Sequence, residues 1–487
     1  MSLIGKVVSD SVFTAVRSVA SVAKGFAIIP LITNLLGAES YGLWVTVLAI
    51  VNLLTSTGGM HLHGSLIRYT SEHTDQNQAY SDVLSLSTLA GVAVAGGTWI
   101  LGTVFDLSMV FETDLTGQSA LVVVCSLLVF SEMVYKINSN FPRAKGYVKQ
   151  YELVQFTRDV LETLLLVGVF LSGGGILAAI TGILGLVTTL NLGLVAVVAV
   201  RFPIPLPNLG NFARYVRYGV PMIPNALSSR LLAHTDKYLL LYFLGPSAVG
   251  VYTVAQKICM PLERLTAVCN STLYPTIAAA WDNGNFSQIT DVYKAIYRYY
   301  SIIGIPAAVG VVLLSESLMT VLSTVDIATQ GLHLVPIFAV GYLLKGYDTT
   351  IRYILTAAER TDTIGLSVFG SAVVNIGLNI VLIPRLGMAG AAVATVASYA
   401  FLFGLVFYHS RSEVTLSVPT PTIGRSSVAA GVMTITILSV NFNLGFYSTL
   451  LVIPLFGALL YFTVLLLIGE FEKPELRRAK TTLKNLI

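Results

Sequence analysis

The sequence predicts an all-α integral membrane protein, with about fourteen transmembrane helices in two pseudo-symmetric lobes around a central cavity. Three observations lead there. Only 11% of the residues are charged and 55% are hydrophobic, with a mean hydropathy of +0.78, whereas a soluble chain is roughly 25% charged. The apolar runs reach the ~20 residues needed to cross hydrocarbon, and they lack the period-2 alternation of a transmembrane strand. Finally, the chain repeats itself: Leu36-Gly37-Ala38-Glu39-Ser40-Tyr41-Gly42-Leu43-Trp44 aligns without gaps on Leu244-Gly245-Pro246-Ser247-Ala248-Val249-Gly250-Val251-Tyr252. Both copies follow a Pro-interrupted apolar segment, as expected of two similar halves with breaks at matching places.

The spans follow in order. The first is expected at about residues 11–36 and the second at 41–69, joined by a tight turn at Gly37 to Gly42. The third covers about 83–105 and precedes an acidic loop; the fourth covers 118–140 and precedes a basic one. The fifth and sixth fill 151–200 and turn at Gly173-Gly174-Gly175. A polar linker with Pro203, Pro205 and Pro207 then separates the halves, because proline and polar clusters break apolar helices. This divides the chain into an N-terminal lobe (1–205), a C-terminal lobe (206–410) and a last part (411–487) holding two more spans and a basic tail. The seventh span, 219–250, carries Pro221 and Pro224 together with Arg230, His234, Asp236 and Lys237. The eighth to twelfth are expected at 248–281, 289–321, 331–355, 363–383 and 387–408, and the last two at 426–439 and 449–468.

Orientation follows from lysine and arginine, which concentrate in cytoplasmic loops. With the amino terminus inside, Arg143, Lys145, Lys149, Arg201, Arg214, Arg217, Arg411 and Arg425 are cytoplasmic, while Glu39, Asp106, Glu112, Asp114 and Asp326 face out. The expectation is a multi-pass protein of a prokaryotic plasma (inner) membrane with both termini in the cytoplasm. Arg17 and Lys24 interrupt the first apolar run, so it reads as a span and not a cleavable leader.

Several chemistries are not expected. Cys125, Cys259 and Cys269 lack CxxC spacing, which argues against a disulfide framework or a zinc site. His61 and His63 are two apart and would lie on different faces of a continuous helix, so no metal site is expected there. The glycines at 173–175 are not followed by Lys-Ser/Thr, no nucleotide signature occurs, and neither a cofactor nor a nucleic-acid partner is expected.

The informative signal is charge inside spans. The candidates for a cationic substrate path are Arg17, Lys24, Arg230, Lys237, Lys257, Arg264 and Lys345; Asp236, Glu316 and Asp348 are candidates for ion coupling or internal pairing. Ten basic groups within spans, at roughly 3 kcal/mol each, would cost on the order of 30 kcal/mol against lipid, so most must line a wet interior, sit near an interface or pair. Glu132 with Lys136 and Asp348 with Arg352 stand at i,i+4, and Asp236 abuts Lys237. Arg17, Lys24, Arg230 and Lys257 have no carboxylate three or four residues away, which favours a shared cavity. A cationic interior suits phosphate or pyrophosphate, because Arg forks onto two oxygens and Lys supplies a mobile point charge.

The runs IPLITNLLGAESYGLWVTVLAIVNLL, DKYLLLYFLGPSAVGVYTVAQKI and LNIVLIPRLGMAGAAVATVASYAF resemble the polysaccharide and O-antigen flippase family, of the superfamily that also holds multidrug-extrusion antiporters and the lipid II flippase. The resemblance implies a non-enzymatic transporter that moves a polyprenyl- or dolichyl-linked oligosaccharide to the outer leaflet by alternating access. Its partners would be that lipid, the surrounding membrane lipids, and glycosyltransferases or a polymerase of the same pathway. A multidrug or cation antiporter is the alternative, which would call for an acidic cavity; a membrane glycan polymerase or ligase is a further one, which would call for a long outer loop. The orientation is tested by impermeant cysteine labelling of Tyr147→Cys: labelling is expected only after the membrane is opened, and labelling from outside intact cells would reverse the topology.

Overall fold

The computed structural model describes residues 3–72, 76–104, 115–416, 418–440 and 446–471, and among these all regular structure is helical. The chain forms two compact units. The first comprises Met1–Thr253 with Leu322–Thr324, the second Val254–Val321 with Val325–Ile487.

In the first unit the order is α1 (Leu3–Gly58), α2 (Leu62–Glu72), α3 (Gln76–Val104), α4 (Leu115–Ala144), α5 (Val148–Leu171), α6 (Ile176–Arg201), α7 (Phe212–Gly219) and α8 (Ile223–Leu244). α9 (Pro246–Arg264) begins here and continues into the second unit. The expected turn at 37–42 is far tighter than a loop. The helix leaves α geometry at Gly37 alone (φ 84°, ψ 178°) and resumes at once. Gly245, its counterpart in the repeat, has φ 82° and ψ 177°. These left-handed corners suit only glycine, which lacks the Cβ that would clash.

The second glycine of each copy has a packing role. A Cβ on Gly42 would lie 1.8 Å from the Pro246 carbonyl oxygen, and one on Gly250 would lie 2.1 Å from that of Ala38. Each corner therefore seats its first carbonyl on the other's glycine, and the repeat seen in the sequence is a reciprocal contact. α1 and α8, the helices leading into the two corners, also pack together.

Helix association in a bilayer relies on close packing and interhelical hydrogen bonds, since lipid is as apolar as leucine. In the first unit the Tyr80 hydroxyl donates to Asn138 Oδ1 (2.9 Å), Asn138 Nδ2 donates to Asn191 Oδ1 (3.0 Å), and Asn191 Nδ2 donates to the Ser131 carbonyl (2.9 Å). This ladder ties α3, α4 and α6. The fully buried Asp82 holds the proline linker: it accepts from the Asn208 backbone N–H and from Asn211 Nδ2, both at 2.7 Å.

The second unit continues with α10 (Ala267–Asp282), α11 (Phe286–Leu313), α12 (Ser315–Leu322), α13 (Val325–Gly331), α14 (Val335–Ala357), α15 (Thr361–Arg411), α16 (Thr420–Ser439) and α17 (Phe446–Leu467). The eighth expected span is two helices here, broken at Leu265 and Thr266, and the ninth is divided between α11 and α12. α15 merges the eleventh and twelfth spans across another glycine corner, Gly387 (φ 60°, ψ −140°). A Cβ on Gly346 would lie 2.0 Å from the Tyr300 hydroxyl. Without one, that hydroxyl donates across α14 and α9, to Leu343 O at 3.2 Å and Leu262 O at 3.3 Å. At the end of α17, the buried Glu470 accepts from Arg298 Nε (2.9 Å), Thr422 Oγ1 (2.7 Å) and Arg425 Nη1 (3.0 Å). Burial alone would raise its carboxyl, but these donors outweigh it and hold the group below the ordinary carboxylate range. The basic tail after Glu470 lies outside the described residues, Phe471 excepted.

Among the described residues, eight helical stretches are long and apolar enough to cross a membrane. Two of them, Arg17–Gly58 and Thr361–Arg411, measure 42 and 51 residues. At 1.5 Å per residue they are about two and two and a half times the ~30 Å of hydrocarbon, so the glycine corners convert each into a pair. α5 and α8, at 24 and 22 residues, have the length but carry ionic side chains. We expect Gly42→Ala to lower thermal stability in detergent, by the ~1–3 kcal/mol typical of overpacking. Gly185→Ala on α6, where nothing lies within 4 Å, should be neutral or stabilising.

Candidate functional site

The first unit contains two adjoining cavities of about 450 and 390 Å³. Thr55, His63 and Lys136 line both, so they form the shared wall. The larger adds Lys24, Glu132, Arg143, Arg158, Asp159 and Glu162; the smaller adds His61, Ser87 and Arg230.

The ionic groups of the larger cavity form one chain. Lys24 Nζ lies 3.2 Å from Asp159 Oδ1 and 2.8 Å from Glu162 Oε1. Glu162 lies 3.6 Å from Arg158 Nε, and the Arg158 fork takes both oxygens of Glu132, with Nη1 donating to Oε2 at 3.0 Å. The guanidinium also sits over the Tyr135 ring, 4.5 Å from its centroid. α5 presents Arg158, Asp159 and Glu162 to α1 and α4, so three helices are joined by charge. Near the start of α1, Arg17 Nη1 meets Glu152 Oε2 at 3.4 Å, and Thr14 Oγ1 donates to the same carboxylate at 2.9 Å.

Arg17 and Lys24 thus have carboxylate partners, supplied by α5 and invisible to i,i+4 spacing. The converse holds for Lys136. Its expected partner Glu132 turns to Arg158. Among the described residues, no carboxylate lies within ion-pair distance of Lys136 or Arg230. Glu132 still attracts Lys136 from beyond ion-pair distance, Arg230 repels it more weakly, and the two half-buried cations face the smaller cavity together. Lys136 is the site residue that sequence spacing obscured, because it offered a false partner.

Asp236 and Lys237 are both buried. Their side chains pair at 3.7 Å, and Asp236 also accepts from the Tyr252 hydroxyl at 2.6 Å. Neither lines the two cavities. In the second unit, Lys257 is half-buried and Arg264 exposed on α9. Lys345 pairs with Glu263 at 3.0 Å and lies over the Tyr342 and Tyr399 rings. Asp348 pairs with Arg352 one turn on, as the spacing predicts. Glu316 is exposed in the first turn of α12, where a carboxylate complements the helix dipole.

His61 and His63 depart from expectation. Their ring centroids are 4.5 Å apart. The helix ends at Gly58, and Met60 (φ 44°) and His61 (φ 50°) take the left-handed region before α2 starts at Leu62. The residues are therefore not on one helix, and the two-residue spacing no longer separates them. Gly58-Gly59 was the sequence signal for this break. Among the described residues, no group of three metal-ligating side chains occurs.

An all-α membrane fold with ion-lined cavities in its first unit and a glycine-cornered repeat is the architecture of a membrane transporter. More specifically, the chain belongs to the family described as polysaccharide biosynthesis protein, whose model matches residues 31–325. The probable flippase AglR of Haloferax volcanii is 24% identical over 420 residues, covering 84% of each chain. The probable low-salt glycan biosynthesis flippase Agl15 of the same organism is 24% identical over 324 residues, covering 65% of this chain and 67% of its own. The structure of the lipid II flippase MurJ in an inward closed conformation matches with a TM-score of 0.75 at 15% identity, over 94% of this chain and 98% of that one. An inward-facing multidrug resistance MATE family transporter of the MOP superfamily matches at 0.67 and 15% identity, over 82% and 94%. At these identities the two structures show a shared fold.

The ion chain yields a testable energetic expectation. Glu132→Gln or Arg158→Gln alone leaves a charge unpaired inside the membrane fold and should cost about 3–5 kcal/mol, while the double variant should recover much of that. Unfolding of the four proteins in mixed detergent measures the coupling; additive losses would mean that the pair is not energetically linked.

Proposed function

We propose that this membrane flippase moves a polyprenyl- or dolichyl-linked oligosaccharide from the cytoplasmic to the outer leaflet, with its phosphate or pyrophosphate headgroup held by Lys136 and Arg230. The observation that carries this reading is the pair of half-buried cations with no carboxylate within ion-pair distance among the described residues. Each unpaired cation costs several kcal/mol in a membrane interior unless an anion or water compensates it. An anionic headgroup supplies that compensation, and the names of AglR and Agl15 support a flippase in glycan assembly. Lys24 lies in the adjoining cavity and, with its two carboxylate partners, stands ready to exchange one of them for a phosphate oxygen. A drug cation would be repelled by the surplus positive charge, which argues against the antiporter alternative.

The drive follows from charge. A headgroup with one or two negative charges gains about 2.3 kcal/mol per charge per 100 mV on moving outward across an inside-negative membrane. The positively charged empty carrier is drawn back by the same field. The orientation of the termini toward the cytoplasm, inferred from the basic loops, is consistent with this direction.

In proteoliposomes, Arg230→Gln and Lys136→Gln should each slow flipping about 10–100-fold, the scale of losing a charge-assisted hydrogen bond of roughly 1.5–3 kcal/mol. Protein yield should be unchanged, and collapsing the membrane potential should slow the wild type more than Arg230→Gln. A loss of yield matching the loss of activity would reassign the two cations to folding. Flipping that ignores the potential but needs a proton or sodium gradient would replace charge movement with ion coupling.

A further inference from the structure

We propose that the His61–His63 pair takes up a proton when a phosphate-bearing lipid headgroup occupies the cavity walled by Lys136 and Arg230. The proposal rests on the reading of that cavity given above and adds a second ion to it.

The pair is a built feature. Both rings line the smaller cavity beside Lys136 and Arg230, and His63 also faces the larger one. Bringing them to 4.5 Å requires two consecutive non-glycine residues in the left-handed region, at a cost on the order of 1–3 kcal/mol each. The surroundings are shaped to hold this turn. A Cβ on Gly64 would lie 2.3 Å from His61 Cδ2 and 2.4 Å from its Nε2, so the ring occupies the space that glycine leaves. A Cβ on Gly219 would lie 1.9 Å from the Met60 carbonyl oxygen, so α7 ends where the turn needs room. Ser65 Oγ donates to the Tyr215 carbonyl at 3.2 Å and pins α2 to α7. The turn and α2 lie outside the helices long and apolar enough to cross a membrane.

The charges facing the pair are cationic. From α4, Lys136 acts on both imidazoles and Arg143 on His63; from α8, Arg230 lines the same cavity. α1 and α3 contribute Thr55, Ser56 and Ser87 to that wall. The carboxylates of the adjoining cavity, Glu132, Asp159 and Glu162, are engaged by Arg158 and Lys24. With the cavity empty, burial first, then this field and, for His63, the neighbouring imidazole, disfavour an imidazolium. A phosphate between the cations and the rings reverses the field, and a protonated imidazole then donates a charge-assisted N–H to a phosphate oxygen. The affinity gained is complete below the pair's titration in the empty cavity and is lost as pH rises through its titration in the loaded one. Within that window Kd rises by up to about tenfold per pH unit. The proton leaves with the headgroup, so each transfer moves less net negative charge than the headgroup alone.

The test is isothermal titration calorimetry of the full-length protein in detergent, with farnesyl diphosphate as the probe and buffers of different ionisation enthalpy to count protons. The wild type should take up at least about half a proton more per probe bound than the His61→Gln/His63→Gln double variant. Its Kd should rise about 3–10-fold from pH 6.5 to 7.5 relative to that variant, a comparison that removes the titration of the probe itself. If the double variant does not fold, His63→Gln, which keeps the His61 ring against Gly64, must show at least half of the loss. Tight binding with equal proton counts would overturn the proton linkage and leave the headgroup site standing. No binding by the wild type, or binding indifferent to Arg230→Gln, would overturn the site and the linkage together.

Discussion

An ionised side chain facing hydrocarbon costs several kcal/mol, and the first unit is arranged around avoiding that cost. α5 carries Glu152, Arg158, Asp159 and Glu162 within 24 residues, so it cannot present an apolar surface all round. Its charges meet Arg17 and Lys24 of α1 and Glu132 of α4. The pairing joins three helices that have no hydrophobic reason to associate within lipid. Once these carboxylates are committed, Lys136 and Arg230 remain as surplus positive charge at one place. In this protein the structural pairs single out, by subtraction, the cations that no carboxylate engages among the described residues.

Close backbone approach is the second theme. The corners at Gly37 and Gly245 share one backbone conformation, and the carbonyl after each rests on the glycine of the other. Any side chain at Gly42 or Gly250 would separate the two copies. The same device recurs at Met60 on Gly219 and at Tyr300 on Gly346. Where the bilayer removes the hydrophobic drive, missing Cβ atoms let carbonyls and hydroxyls approach closely.

Much of this was legible in the sequence. The all-helical membrane class followed from composition, the corner at Gly37 from a break in an apolar run, its counterpart at Gly245 from the repeat, and the division near Gly387 from the gap between two expected spans. Asp348 with Arg352 followed from a one-turn spacing. Other features were hidden because their cause is non-local. Arg17 and Lys24 looked unpartnered because their carboxylates are about 135 positions away in the chain. Lys136 looked paired because Glu132 stands one turn before it, whereas the bidentate geometry of Arg158 competes better for that carboxylate. His61 and His63 looked separated because their spacing was read on a continuous helix.

The sequence by itself determined where the chain could cross a bilayer and which residues would be intolerable against lipid, since both depend on local hydropathy and charge. It also determined where glycine would let a helix turn, since that depends on one residue's lack of a Cβ. Tertiary structure alone decided which charges cancel and which are left over. That outcome depends on distances between helices far apart in the chain, and a difference of a few ångströms separates an ion pair from a free cation.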